Sequence, residues 1–93
     1  MYNEKLDKLR KKIDKVDNEL LKIIKKRTNL VKKVIKSKKF KKQIVDKIRI
    51  KNVLKNINEL SKKKKIDTQL TRKIWTSLIN SYIEYERRNF NKK

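Results

Sequence analysis

From Leu6, apolar side chains fall at Leu9, Ile13, Val16, Leu20, Ile23, Leu30 and Val34, in alternating steps of three and four. This is the period of one long helix with a narrow apolar seam. Ile24 and Val31 widen the seam in the middle. One seam position breaks the pattern: between Ile23 and Leu30, where an aliphatic residue is due, stands Arg27. A guanidinium keeps its proton, and burying it unpaired costs several kcal/mol. Either Arg27 snorkels into solvent, as cations in basic helices often do, or an anion meets it in the interior. The second option makes Arg27 a candidate ligand-binding group.

Asn3 fits an N-cap, and Asp7 follows at the favourable end of the dipole. The helix is predicted to run to about Lys38, roughly 50 Å at 1.5 Å per residue. A compact domain of this size is only about 30 Å across. The helix therefore has to pack along another chain, most simply a two-fold copy of itself. The seam is lost from Lys36 to Gln43, where a loop is expected.

A second helix takes up Ile48, Val53, Leu54, Ile57 and Leu60, with Asp46 and Arg49 within reach of each other at its start. The run Lys62 to Lys65 ends it. Asp67 or Thr68 then caps a third helix through Leu70, Ile74, Trp75, Leu78, Ile79, Tyr82 and Ile83. On it, Trp75, Ile79, Tyr82 and Glu86 form one stripe ending in a carboxylate. With no strand candidate and no repeat, the expected fold is all-α: one domain over residues 1–93, a three-helix protomer with a long first helix, paired as a homodimer.

Composition narrows the chemistry. The chain has no Cys, His, Gly or Pro. That removes disulfides, the usual zinc sites, His general bases and glycine-rich phosphate loops. No stretch is apolar enough to span a membrane, and Met1 to Lys8 lacks the apolar core of a signal peptide, so a cytoplasmic protein is expected. An enzyme built from these residues is expected to need no metal or cofactor and to work by positioning and electrostatics.

The net charge is +21, and eleven Lys or Arg with no acid lie between Leu20 and Val45. Such a field attracts polyanions and small dianions alike. Nucleic acid is the partner that charge alone suggests. Against it, the basic residues are expected all round the helices, no nucleic-acid motif is present, and six aromatics offer no stacking platform. Arg27 and Lys38 are eleven residues apart, about three turns, so they share a direction. Arg10 is seventeen residues before Arg27, about 25 Å along the axis. In an antiparallel pair, Arg10 of one chain can approach Arg27 of the other.

Leu9-Arg10, Ile13-Asp14, Val16-Asp17, Leu20-Leu21, Arg27 and Lys38 stand in the register of the first helix of the all-helical (AroQ-type) chorismate mutases, which the stretch Leu6 to Lys38 resembles. Ile74 to Glu86 is similar to that family's third helix. The resemblance implies an intertwined dimer that rearranges chorismate to prephenate in aromatic amino-acid biosynthesis. It implies that Arg27, with Arg10 of the other subunit, clamps the substrate carboxylates. Lys38 and Glu86 would then bond the ether oxygen, and Asp46 and Arg49 would shape the end that holds the ring hydroxyl. To donate that bond, Glu86 must carry a proton.

Two positions depart from the mutase pattern. Ile50 stands where the family usually has Glu, and Tyr82 where it often has Ser. Both resemble the isochorismate-pyruvate lyases of the same fold, so the substrate stays open between chorismate and isochorismate. A basic nucleic-acid-binding helical protein and a purely structural bundle are the readings from other classes. Asp46 with Arg49 also reads as an ordinary ion pair, Tyr82 as core, and Trp75 as packing.

Overall fold

Helix α1 (Glu4–Ser37) runs for 34 residues without a break in the computed structural model, which describes residues 3–90. Asn3 starts it: its Oδ1 accepts from the Leu6 amide at 3.0 Å, and its carbonyl accepts from the Asp7 amide at 3.0 Å. Met1 and Tyr2, at the head of the stretch expected to carry no signal peptide, lie outside the described residues. The chain divides into two compact units, one up to Lys33 and the other from Val34 onward.

The α1 seam stays open to solvent. Ile13 keeps 57% of its surface exposed, Ile23 58% and Leu30 60%. Thr28 and Val31 are half-buried and Ile35 is buried. Among the described hydrophobic residues only Ile35 and Ile44 are buried. Of the eleven lysines of α1, seven fall on the face opposite the seam, while Lys5, Lys12, Lys26 and Lys33 fall between that face and the seam.

In the second unit the predicted loop contains a short 3₁₀ turn, Lys41–Ile44. Gln43 shapes its start: Oε1 accepts from the backbone amides of Lys39 at 2.7 Å and Phe40 at 2.8 Å. α2 (Lys47–Lys63) and α3 (Thr68–Asn89) pack together as a helical hairpin, and the 3₁₀ turn packs on α3. Val53, Leu54 and Ile57 face α3 as half-buried residues, but Ile48 is 76% exposed. At 100° per residue Ile48 points away from Ile57, whereas Ile50 falls on the packed stripe and is half-buried. On α3, Trp75, Leu78, Ile79, Tyr82 and Ile83 are half-buried, while Leu70 (54%) and Ile74 (47%) lie to the side of that stripe and stay exposed.

A polar contact also joins α2 and α3. The Ser61 and Thr71 hydroxyls, both buried, lie 2.8 Å apart. Ser61 donates to the Ile57 carbonyl at 2.7 Å, which leaves the Thr71 hydroxyl to donate to Ser61. Asp67, not Thr68, caps α3, accepting from the amides of Gln69 at 2.8 Å and Leu70 at 3.4 Å. No described helix is long and apolar enough to cross a membrane.

The turn between the hairpin helices holds one strained residue. Lys65 has φ of 58°, at the position where a helix end usually carries glycine. The Ile66 amide donates to the Ser61 carbonyl at 2.9 Å and the Lys65 amide to Lys62 at 3.2 Å, the paired bonds of a Schellman ending. A side chain in this left-handed region costs about 1–2 kcal/mol, and glycine's extra freedom in the unfolded chain offsets about half of that. Lys65→Gly is therefore expected to stabilise the protein by about 0.5–1 kcal/mol. Thermal unfolding followed by circular dichroism at fixed protein concentration should show a midpoint a few degrees higher.

Candidate functional site

Glu86 lies in the last turns of α3 on the helix's packed stripe, and only 9% of its surface is exposed. A carboxylate so covered needs a partner, because burying an ion without one costs far more than its packing returns. The partner is Lys38, 48 residues earlier, whose Nζ donates to Glu86 Oε1 at 2.9 Å. Lys38 follows directly on the last residue of α1, and its amide donates to the Ile35 carbonyl at 3.2 Å. The end of α1 thus aims the ammonium group, and α3 aims the carboxylate. The side chains keep 18% and 11% of their surfaces exposed, so the pair is screened from bulk water but can be reached from it.

Two of the predicted site residues are therefore in direct contact. Tyr82 lies one turn before Glu86, half-buried, with its ring edge-on to Tyr85 at 6.2 Å between centroids and 78° between planes. Lys38 and Asp46 line one cleft of about 500 Å³ with Gln43, Val45, Lys47 and Ile48. The Asp46 carboxylate caps α2 by accepting from the backbone amide of Arg49 at 2.9 Å. The contact between these two residues is thus a helix cap rather than the side-chain ion pair weighed from their spacing. Both are exposed.

Arg10 and Arg27 belong to the first unit. Arg10 is exposed on α1. Arg27 is half-buried, and its Nη1 is shielded from solvent.

Gln43 is a contributor that the sequence pattern did not single out. It lines the cleft beside Lys38 and orders the loop that follows Lys38 through its bonds to two backbone amides. The signal was a Gln three residues after Phe40, the spacing at which a side chain reaches back to the start of a helical turn. A larger groove, about 610 Å³, runs along the polar face of α3 beside Arg72, Thr76 and Asn80, and none of the predicted site residues lines it.

The pair has a thermodynamic asymmetry. Lys38→Ala leaves the Glu86 carboxylate buried without its ion partner. Glu86→Gln keeps an amide oxygen within reach of Lys38, whose ammonium can also turn toward water. Lys38→Ala should cost about 2 kcal/mol of stability and Glu86→Gln less than about 1. Urea unfolding of the two variants beside the parent chain measures the difference.

The chorismate mutase type II family model matches residues 9–87, through both units. Among curated proteins, the chorismate mutase of Methanocaldococcus jannaschii is similar, at 38% identity over 97% of this chain and 98% of that protein. No solved structure matches the chain.

Proposed function

This chain belongs to the type II chorismate mutase family, and we propose that Arg10, Arg27, Lys38 and Glu86 are the side chains with which it converts chorismate to prephenate. The reaction is a unimolecular Claisen shift. One carbon–oxygen bond breaks as one carbon–carbon bond forms, and no proton moves. What a protein can add is geometry and charge: it holds a flexible dianion in the reactive chair and stabilises the negative charge that grows on the ether oxygen. Arginines are suited to the first task because each offers a rigid fork to a carboxylate. A lysine and a protonated carboxyl are suited to the second.

The observation that carries this reading is the Lys38–Glu86 contact at 2.9 Å, held largely out of water. Two groups meant to act on one oxygen have to lie within about one atom's width of it, and these two already meet. When substrate enters, the ammonium turns to the ether oxygen and Glu86 donates from the other side, which it can do only when protonated. Asp46, Arg49 and Tyr82 take the substrate's ring end in this scheme. Chorismate is favoured over isochorismate because the apolar character of Ile50 is explained by its place on the packed stripe of α2.

The working form in this proposal is a homodimer that buries the open α1 seams against each other, with Arg10 reaching the site of the other subunit. Arg27→Ala and Lys38→Ala should each lower turnover about 10²–10³-fold without loss of helix content. Arg10→Ala and Arg27→Ala chains, each inactive, are expected to recover about a quarter of parental activity when refolded together in equal amounts. Half of the dimers are then mixed, and each mixed dimer has one complete site of two. No recovery would place Arg10 and Arg27 of one chain at one site. Salicylate release from isochorismate at a rate matching chorismate consumption would overturn the choice of substrate.

A further inference from the structure

We propose that the back of α1 is a binding surface for the phosphate backbone of double-stranded nucleic acid, a function separate from the chemistry of the site. Lys8, Lys11, Lys15, Lys22, Lys25 and Lys32 are all exposed on this helix. With Asn18 and Asn29 filling the two gaps, they follow one another in alternating steps of three and four. The apolar seam has the same period, and at 100° per residue the two rows lie on opposite faces of the cylinder. The lysines therefore form one straight row, pointing away from the face available to a second copy of the chain.

The row spans 24 residues, about 36 Å, a length comparable to ten base pairs of duplex. Its first half is partly balanced by acids, with Asp7 within 3.5 Å of Lys11. From Lys22 onward there is none: Lys22, Lys25 and Lys26 crowd one another at spacings of three and four, where like charges repel. A helix keeps such a row more easily when an external polyanion screens it.

The chemistry of the face selects the polyanion. It carries no aromatic side chain on which unpaired bases could stack, so it suits a duplex better than a single strand. Its one bordering apolar side chain is Leu21, 67% exposed, and a single leucine gives too little apolar surface to settle a helix into lipid. A straight row of ammonium groups on the outside of a long helix meets the phosphate backbone, and contacts of that kind carry no sequence information.

The test uses the full chain and a fluorescent 20-base-pair duplex of arbitrary sequence, titrated by anisotropy between 50 and 200 mM salt. The parent should bind with a micromolar dissociation constant at the low end and a steep salt slope. The variant Lys15→Gln/Lys22→Gln/Lys25→Gln/Lys32→Gln should lose more than tenfold in affinity. Its salt slope should be shallower by about 3.6, or about 0.9 for each phosphate that a lysine no longer neutralises. These substitutions relieve repulsion within α1, so the helix is expected to persist, and mutase turnover should be retained. A control of equal net charge, Lys51→Gln/Lys55→Gln/Lys62→Gln/Lys73→Gln, should bind nearly as the parent does. Equal losses in the two variants would overturn the proposal, because overall charge and not the row would then be responsible. Stronger binding to phosphatidylglycerol vesicles than to the duplex would overturn it as well.

Discussion

The chain has more apolar surface than it can hide alone. Its longest helix carries an unbroken row of aliphatic residues on either side of Arg27, and residues such as Ile13 and Leu30 remain more than half exposed. Apolar area left in water forgoes about 25 cal/mol per Å², and only two described hydrophobic side chains are buried. A core that small is marginal for a domain of this length. The open seam is therefore the principal constraint on the molecule, and it is the surface that the proposed dimer would bury.

Against that background the α2–α3 hairpin is where capping and interhelical contacts concentrate. It has caps at Asp46 and Asp67, a Schellman ending at Lys65, a packed apolar stripe and the Ser61–Thr71 contact. This frame holds Glu86 firmly on α3, and Gln43 orders the short turn that follows Lys38. The ion pair between them lies where rigid elements meet, and a charge aimed in advance can stabilise a transition state without reorganising during the reaction.

The electrostatics of the molecule separate by face. Arg27, on the seam side of α1, has its Nη1 shielded from water. The lysine row occupies the other side, fully wet. Shielded charge is strong and specific because little water competes with it, while exposed charge is weak per residue and acts through number and screening. A net charge of +21 attracts anions at long range, and the lysine row is the part of it proposed to meet a polyanion directly.

Period and capping chemistry are local, so the three helices, the Asn3 cap and a cap at Asp67 or Thr68 were legible in the sequence, whereas the break expected over Lys36 to Gln43 begins only at Lys38 and holds a 3₁₀ turn. The odd cation on the seam was legible too, because a single Arg27 in an aliphatic row stands out. The register of Leu9 to Lys38 and the Glu86 stripe named the family that the comparisons then showed. Other features needed a neighbour in space. Ile48 reads as core by composition but points away from Ile57, and only packing against α3 decides which face of α2 is covered. Asp46 beside Arg49 reads as an ion pair by spacing, yet the carboxylate serves the free backbone amide at the helix start. The Lys38–Glu86 contact joins residues 48 apart, a distance over which no local pattern carries information. The sequence by itself determined where helices form and which stripe of each is apolar, because both depend on neighbours within a turn. Tertiary structure decided which charges meet and which aliphatic residues stay wet, because both depend on the packing of segments far apart along the chain.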